Sequence, residues 1–332
     1  LPLCFMASMR IRMCDRVQHL PLSLPRRAHM VASGVMPKAL YSCAATPPSK
    51  RDVLRLRAAS ARAIWGQGNR WRSSEIVFTQ FCPGHRADPV QAVAYATFSV
   101  ARRVLRRQPR LLPIYRETFQ LRRSALQSGL SCTTGGPVLS ILQAAATAGA
   151  TFSDPTQISY RTPGNDNDSF DLLGGETGKV LHQFREGLRA QQYCTLEARR
   201  PSFVGIAENG THRKATGLLA KDKVTGLAKY KLRCVQAGAV PTMNRLYKAK
   251  QADSRACPSC ACQYEDWNHI ADDCPAYQSI RTREMSSEEW HALPPCLRVH
   301  GLMPLQMHLD AVPSRYRGEE HAVLAVDVQY CL

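Results

Sequence analysis

Acidic residues are scarce in this 332-residue chain: 26 Asp+Glu stand against 44 Lys+Arg, a formal net charge of +18. That imbalance argues against an acidic or membrane-embedded protein and favours polyanion partners, nucleic acid first and anionic lipid second. Long apolar runs are also missing. The early apolar stretch is broken by Arg10, Arg12, Asp15 and Arg16 and fails as a signal peptide. The uncharged stretch from Ser124 to Ser153 has an apolar part confined to Val138–Ala150. That is short of the ~20 residues a bilayer span needs, so no membrane partner is expected. The 13 cysteines follow no framework spacing outside one cluster near residue 260. A secreted disulfide scaffold is therefore excluded, and the chain is expected in a reducing compartment, nucleus or cytoplasm.

Catalytic signatures are absent too. The run Gly174-Gly175-Glu176-Thr177-Gly178-Lys179-Val180 is similar to a phosphate-binding loop. However, Leu173 stands where its first glycine belongs, and Val180 where a hydroxyl must follow the lysine. There is no Gly-x-Ser-x-Gly elbow and no His-Glu-x-x-His helix. His85, His182, His212 and His300 stand alone, as surface or core histidines do, and Asp272-Asp273 reads as local surface charge. No pair of carboxylates suggests a two-metal site.

What the chain does have is an uneven charge distribution. Residues 1–150 carry +17, 151–200 carry −1, 201–250 carry +8 and 251–332 carry −6. In the first block 20 of the 22 cations are arginine, the residue suited to bidentate phosphate contacts, although codon bias in a GC-rich gene gives the same ratio. Hydrophobic content of 44% is near the globular average, and the length suits about two domains at ~150 residues each.

Helical signals dominate. Residues 51–64 are rich in Leu, Ala and Arg. Asp88 is a good N-cap, Pro89 suits the first helical position, and Pro109 marks a stop. Between them Val90, Val93, Ala94, Phe98, Ala101, Val104 and Leu105 form an apolar stripe. Arg102, Arg103, Arg106, Arg107 and Arg110 fall on the other face, either as a phosphate-tracking ridge or as a solvated surface. Residues 137–148 read as a short buried helix ended by Gly149, 161–178 as a turn-rich acidic loop, and 179–200 as a helix with Leu181, Phe184 and Leu188 on one side.

Chemistry concentrates in Cys257-Pro-Ser-Cys260, followed by His269 and Cys274. A C-x2-C turn aims two thiolates at one ion, and a His/Cys pair five positions apart closes a tetrahedron. Cys3His ligation by protein alone is structural, leaving no open position for water. The expected cofactor is one structural Zn2+, with Cys262 a competitor for the place of Cys260. Three thiolates and Zn2+ sum to −1, which Arg255 can partly offset. Trp267 and Tyr264, inside the loop, either stack on bases or pack over the metal.

The ordered set Leu232-Arg233-Cys234-Val235-Gln236-Ala237-Gly238-Ala239-Val240-Pro241-Thr242, Arg245-Leu246-Tyr247, Cys257-x2-Cys260, Glu265-Asp266, His269-Ile270, Cys274-Pro275 and Arg281 resembles a known region. It is the zinc-binding region that follows the polymerase domain in reverse transcriptases of non-LTR (LINE-type) retrotransposons. The match covers residues 230–283. Gly84-His85-Arg86-x-Asp88-Pro89 and Arg199-Arg200-x-x-Phe203-x-Gly205 are more weakly similar to thumb-side and linker segments of such elements. The resemblance implies a parent polyprotein, an RNA-directed DNA polymerase, that copies element RNA into DNA at a nicked target. The polymerase signature of an aromatic residue, a variable residue and two aspartates is missing. The resemblance therefore implies a palm domain upstream of Leu1 as partner and a chain that is not catalytic alone. Residues 321–329, with Asp327, read either as the first strand of a ribonuclease-H-like domain or as an ordinary buried strand.

The expected fold is mainly α, with a small zinc-stabilised Cys3His module and irregular termini. Residues 1–50 are expected to be a severed irregular edge, 51–130 a basic helical region and 131–230 a helical linker with the acidic loop. Residues 231–290 are the zinc-binding region and 291–332 a tail. RNA or DNA would be held by Arg102, Arg103, Arg106 and Arg107, and by Lys221, Lys223, Lys229, Lys231, Arg233, Arg245 and Lys248. A free-standing zinc-knuckle binding or assembly protein, and a decayed element copy, are the alternatives.

Overall fold

The computed structural model describes residues 3–41, 43–44, 48–66, 71–127, 136–162, 165–212, 216, 226–282 and 286–305. Lys221, Lys223 and the 321–329 segment lie outside the described residues. The chain is mainly helical with one three-stranded sheet, and it divides into two compact units. The first comprises residues 1–69 and 74–193, the second 70–73 and 194–332. Among the described residues no helix is long and apolar enough to cross a membrane.

The first unit begins with helices where an irregular edge is expected. Helix α1 (Leu3–His19) is followed by α2 (Leu24–Met30) and α3 (Met36–Ala39), the latter two joined by a π-helical turn at Val31–Val35. Pro25 and Pro37 sit in the first turns of α2 and α3, where a missing N–H costs nothing. The prolines mark helix starts rather than a lack of structure. Helix α4 (Lys50–Trp65) is N-capped by Ser49, which accepts from the Asp52 N–H at 3.1 Å. It packs on α1, where Cys14 Sγ meets Ser60 Oγ at 3.8 Å; Leu56, Ala59 and Ala63 on α4 and Val17 on α1 are buried.

Helices α5 (Ser74–Gln80) and α6 (Gly84–Ala87) lead to α7 (Pro89–Arg107). Asp88 caps α7 as expected, accepting from the Val90 N–H at 3.0 Å. The same carboxylate is fully buried and takes Arg57 Nε on both oxygens at 3.1 Å. Arg57 also reaches Gln192 Oε1 at 2.6 Å and Glu75 at 3.6 Å. A buried carboxylate survives only with such partners. Helix α8 (Leu112–Gln127) and helix α9 (Pro137–Thr147) follow.

The acidic loop is largely a sheet. Strands β1 (Thr151–Phe152), β2 (Gln157–Thr162) and β3 (Asn165–Asp171) pair antiparallel, with Ile158 opposite Phe170. Ile158, Tyr160 and Phe170 point into the core, the period-2 pattern that outweighs the low strand propensity of Asp and Asn. Helix α10 (Thr177–Arg199) then contributes Phe184 and Leu188. Phe184 stacks on Phe98 with ring centroids 4.0 Å apart, and Phe98 meets Phe170 edge-on.

The second unit contains α11 (Ile206–Asn209), α12 (Gly226–Gln236), α13 (Met243–Lys248), α14 (Gln278–Arg281), α15 (Ser287–Ala292) and α16 (Pro295–His300). The last two occupy ground read as zinc region and tail. Ser286 and Glu289 form a reciprocal capping box on α15. Cys296, Val299 and His300 on α16 are buried.

Candidate metal centre

The Cys3His residues converge. One ligand atom from each of Cys257, Cys260, His269 and Cys274 lies within 4.8 Å of the others. Cys257 Sγ and Cys274 Sγ are 3.9 Å apart, and Cys260 Sγ is 3.3 Å from His269 Nε2. Zn–S and Zn–N bonds of ~2.3 and ~2.0 Å give tetrahedral edges of about 3.5–3.8 Å. The donor set fits zinc in chemistry and spacing. Cys262 is exposed and outside the group.

Local backbone chemistry explains the convergence. The Cys257 N–H donates to the Cys262 carbonyl and the Ala261 N–H to the Cys257 carbonyl, both at 2.9 Å. These bonds close a loop that holds Ala261 at φ 58°. Asp266 Oδ1 accepts from the His269 N–H at 2.8 Å, starting the helical turn that carries the histidine. A π-helical turn, His269–Asp273, then returns the chain to Cys274, whose N–H donates to the His269 carbonyl at 2.7 Å. Arg281 Nη2 donates to the Cys274 carbonyl at 2.7 Å.

The upstream part of the resemblance is an internal scaffold. Helix α12 ends in a left-handed cap at Gly238 (φ 59°), with the Ala239 N–H donating to the Cys234 carbonyl and the Gly238 N–H to Val235. A side chain there would strike Arg200 and Phe203 at about 3 Å. Arg245 Nη1 donates to the carbonyls of Gly238 and Val240, each at 2.8 Å. Burial, followed by the nearby Arg200 guanidinium, lowers its pKa. Arg245, expected to face phosphate, is partly buried, and its Nη1 is engaged by backbone carbonyls. Thr242 caps α13, and buried Glu265 accepts from the Met243 N–H at 2.8 Å. Arg233 is half-buried, with its pKa lowered by burial.

A second correction concerns Arg102. It is 1% exposed, turned off the expected ridge, and donates to the carbonyls of Leu172, Gly174 and Gly175. Those carbonyls leave β3 and have no strand partner, so an arginine is drawn inward to satisfy them. Arg103, Arg106, Arg107 and Arg110 are exposed, and Arg106 touches Thr177 Oγ1 at 3.1 Å. In the second unit Lys231 and Lys248 are exposed and Lys229 is partly so.

The aromatic residues divide. Trp267 Nε1 donates to the Val299 carbonyl at 2.8 Å, which commits it to packing. Tyr264 is 43% exposed. Arg255 is exposed and lies over the Tyr247 ring at 5.1 Å. Asp272 is not loose surface charge: it pairs with Arg298 at 3.0 Å and accepts from Trp290 Nε1 at 3.2 Å. His300 is a core histidine. The Val235 carbonyl, 2.9 Å from Nδ1, can only accept, so Nδ1 carries the proton and Nε2 accepts from Ser202 Oγ at 2.9 Å. Burial is the largest cause that lowers its pKa to about 3, helped by Arg200 and Arg245. The links from the metal loop to α15 and α16 join residues up to 32 apart, and no sequence signal marks them.

No protein-family model, curated protein or solved structure matches this chain.

Proposed function

We propose that this chain binds nucleic acid non-catalytically, through exposed Arg and Lys, beside a structural Cys3His zinc site. In this reading it is part of a LINE-type reverse transcriptase whose palm is supplied from elsewhere in the polyprotein. The observation that carries the reading is the convergence of Cys257, Cys260, His269 and Cys274 inside a chain of net charge +18. Four protein donors would hold Zn2+ with no position for a reacting water, and its contribution is folding free energy, on the order of 10 kcal/mol. Phosphate would be met by Arg103, Arg106, Arg107, Lys231 and Lys248, all exposed, with Lys229 at their margin. Arg102 and Arg245 donate to backbone carbonyls of the fold instead, and Arg233 is half-buried. The parent's RNA or DNA would be held without sequence readout, because these groups offer charge and no fixed base-edge geometry.

The test is filter retention of labelled RNA and DNA by zinc-loaded protein at ~50 mM salt. Retention that is insensitive to sequence supports the proposal, and no retention of either overturns it. The second reading, a free-standing zinc-knuckle assembly protein, is favoured by Trp267 inside the metal loop, whose indole N–H is tied to the Val299 carbonyl. It predicts stoichiometric zinc without nucleic-acid retention.

A further inference from the structure

Two exposed tyrosines occur on one small surface of the second unit. Tyr247 and Tyr264 are 42% and 43% exposed. Asn244 Nδ2 donates to the Tyr264 hydroxyl at 2.8 Å, and Asn244 lies one helical turn before Tyr247 on α13. The Tyr264 hydroxyl is thus fastened to α13 within one helical turn of Tyr247. That surface is held rigidly. Glu265, the residue after Tyr264, binds the start of α13 through its carboxylate to the Met243 N–H and through its carbonyl to the Asn244 N–H at 3.1 Å. Arg255 stands over Tyr247, and its carbonyl accepts the Glu265 N–H at 2.8 Å.

The charge around the rings is positive. Lys248, Lys250 and Arg255 are exposed. The nearby carboxylates of Glu265 and Asp266 are turned onto backbone N–H groups, leaving Asp253 as the exposed acid in this stretch. Single exposed aromatics are ordinary on a surface. Two, with one oriented by a guanidinium and the other by an amide, have already lost the side-chain freedom that binding would otherwise cost. A duplex hides the faces of its bases; an unpaired strand offers them to tyrosine rings and guanidinium planes.

We propose that Tyr247, Arg255 and Tyr264 form a stacking platform for unpaired bases, making single-stranded nucleic acid the ligand of this face. The inference rests on the nucleic-acid reading above and adds that bases, as well as phosphates, are gripped. Lys248 and Lys250 would meet the phosphates that flank the stacked bases.

The experiment uses the full zinc-loaded chain and fluorescence anisotropy with two probes of equal charge. One is an oligothymidylate of about 12 nucleotides, within the usual site size, and the other an abasic deoxyribose-phosphate strand of the same length. The oligothymidylate is expected to bind about tenfold tighter or more. Tyr247→Ala and Tyr264→Ala should each remove most of that difference without weakening the abasic strand, and Tyr247→Phe should keep it. Zinc content equal to wild type shows that a variant is folded. Equal affinity for both strands, or alanine variants that keep the full difference, overturns the platform and leaves phosphate binding standing. Binding of neither strand overturns the underlying reading and the platform with it.

Discussion

The indole N–H of Trp267 donates to the carbonyl of Val299 at 2.8 Å, tying the loop between the candidate metal ligands to helix α16. Trp290, through Asp272, and Arg298, through the same carboxylate, add a second tie. Residues 286–305 are thus fastened to the metal loop. Chelating zinc from the whole protein should red-shift tryptophan emission and abolish amide protection in 257–305. Protection around Phe98 and Phe184 in the first unit should persist. Unchanged emission after complete metal removal would show that the loop folds without zinc.

Arg102 provides a sharper stability test. Removing it strands the carbonyls of Leu172, Gly174 and Gly175 beside the core. Arg102→Met should cost about 3 kcal/mol in urea unfolding, whereas Arg103→Gln, on the exposed side, should stay within about 0.5 kcal/mol. Similar costs for the two would contradict the inward placement.

Lys250 closes helix α13 at φ 57°, where its N–H and that of Gln251 donate to Tyr247 and Leu246. This is a left-handed cap normally given to glycine. Lys250→Gly should therefore stabilise the protein, by about 1 kcal/mol. A drop in thermal midpoint would mean that the lysine side chain contributes more than the strain it imposes.

His300 links stability to pH. Its pKa falls from 6.5 in the unfolded chain to about 3 in the folded one, so the unfolded chain binds the extra proton between those values. The stability it contributes is complete above pH 6.5 and is lost as pH falls towards 3, by up to about 1.4 kcal/mol per unit. Replacing it by Gln should flatten that part of the pH–stability curve, measured on zinc-loaded wild type and variant side by side so that metal release is common to both. An equally steep curve would place the titration elsewhere.

Features written in short-range chemistry were legible. The Asp88-Pro89 start of α7, the Pro137 and Gly149 ends of α9, and the C-x2-C pair all depend on neighbours within a few residues. What was not legible depends on distant partners. Arg102 sits beside Arg103 in sequence and looks equivalent to it, yet the carbonyls that draw it inward come about seventy residues later. Strand β3 hides behind Asn and Asp because its one strong signal, Phe170, makes sense only opposite Ile158. The arginines of the resembling segment suggested phosphate, while Arg245 is consumed by Gly238 and Val240. Tyr247 carried no spacing signal and acquires a role only beside Tyr264.

If exposed arginines grip phosphate while the Cys3His loop serves as a fixed end-piece, binding must depend on salt through those arginines. The salt dependence of affinity for single-stranded RNA tests it most directly, comparing wild type with a triple variant in which Arg103, Arg106 and Arg107 are each changed to Gln. The account predicts a steep wild-type slope of log K against log salt, made shallower by about 0.7 for each phosphate contact removed, or roughly 2 in all. A triple variant with the wild-type slope and affinity would contradict it.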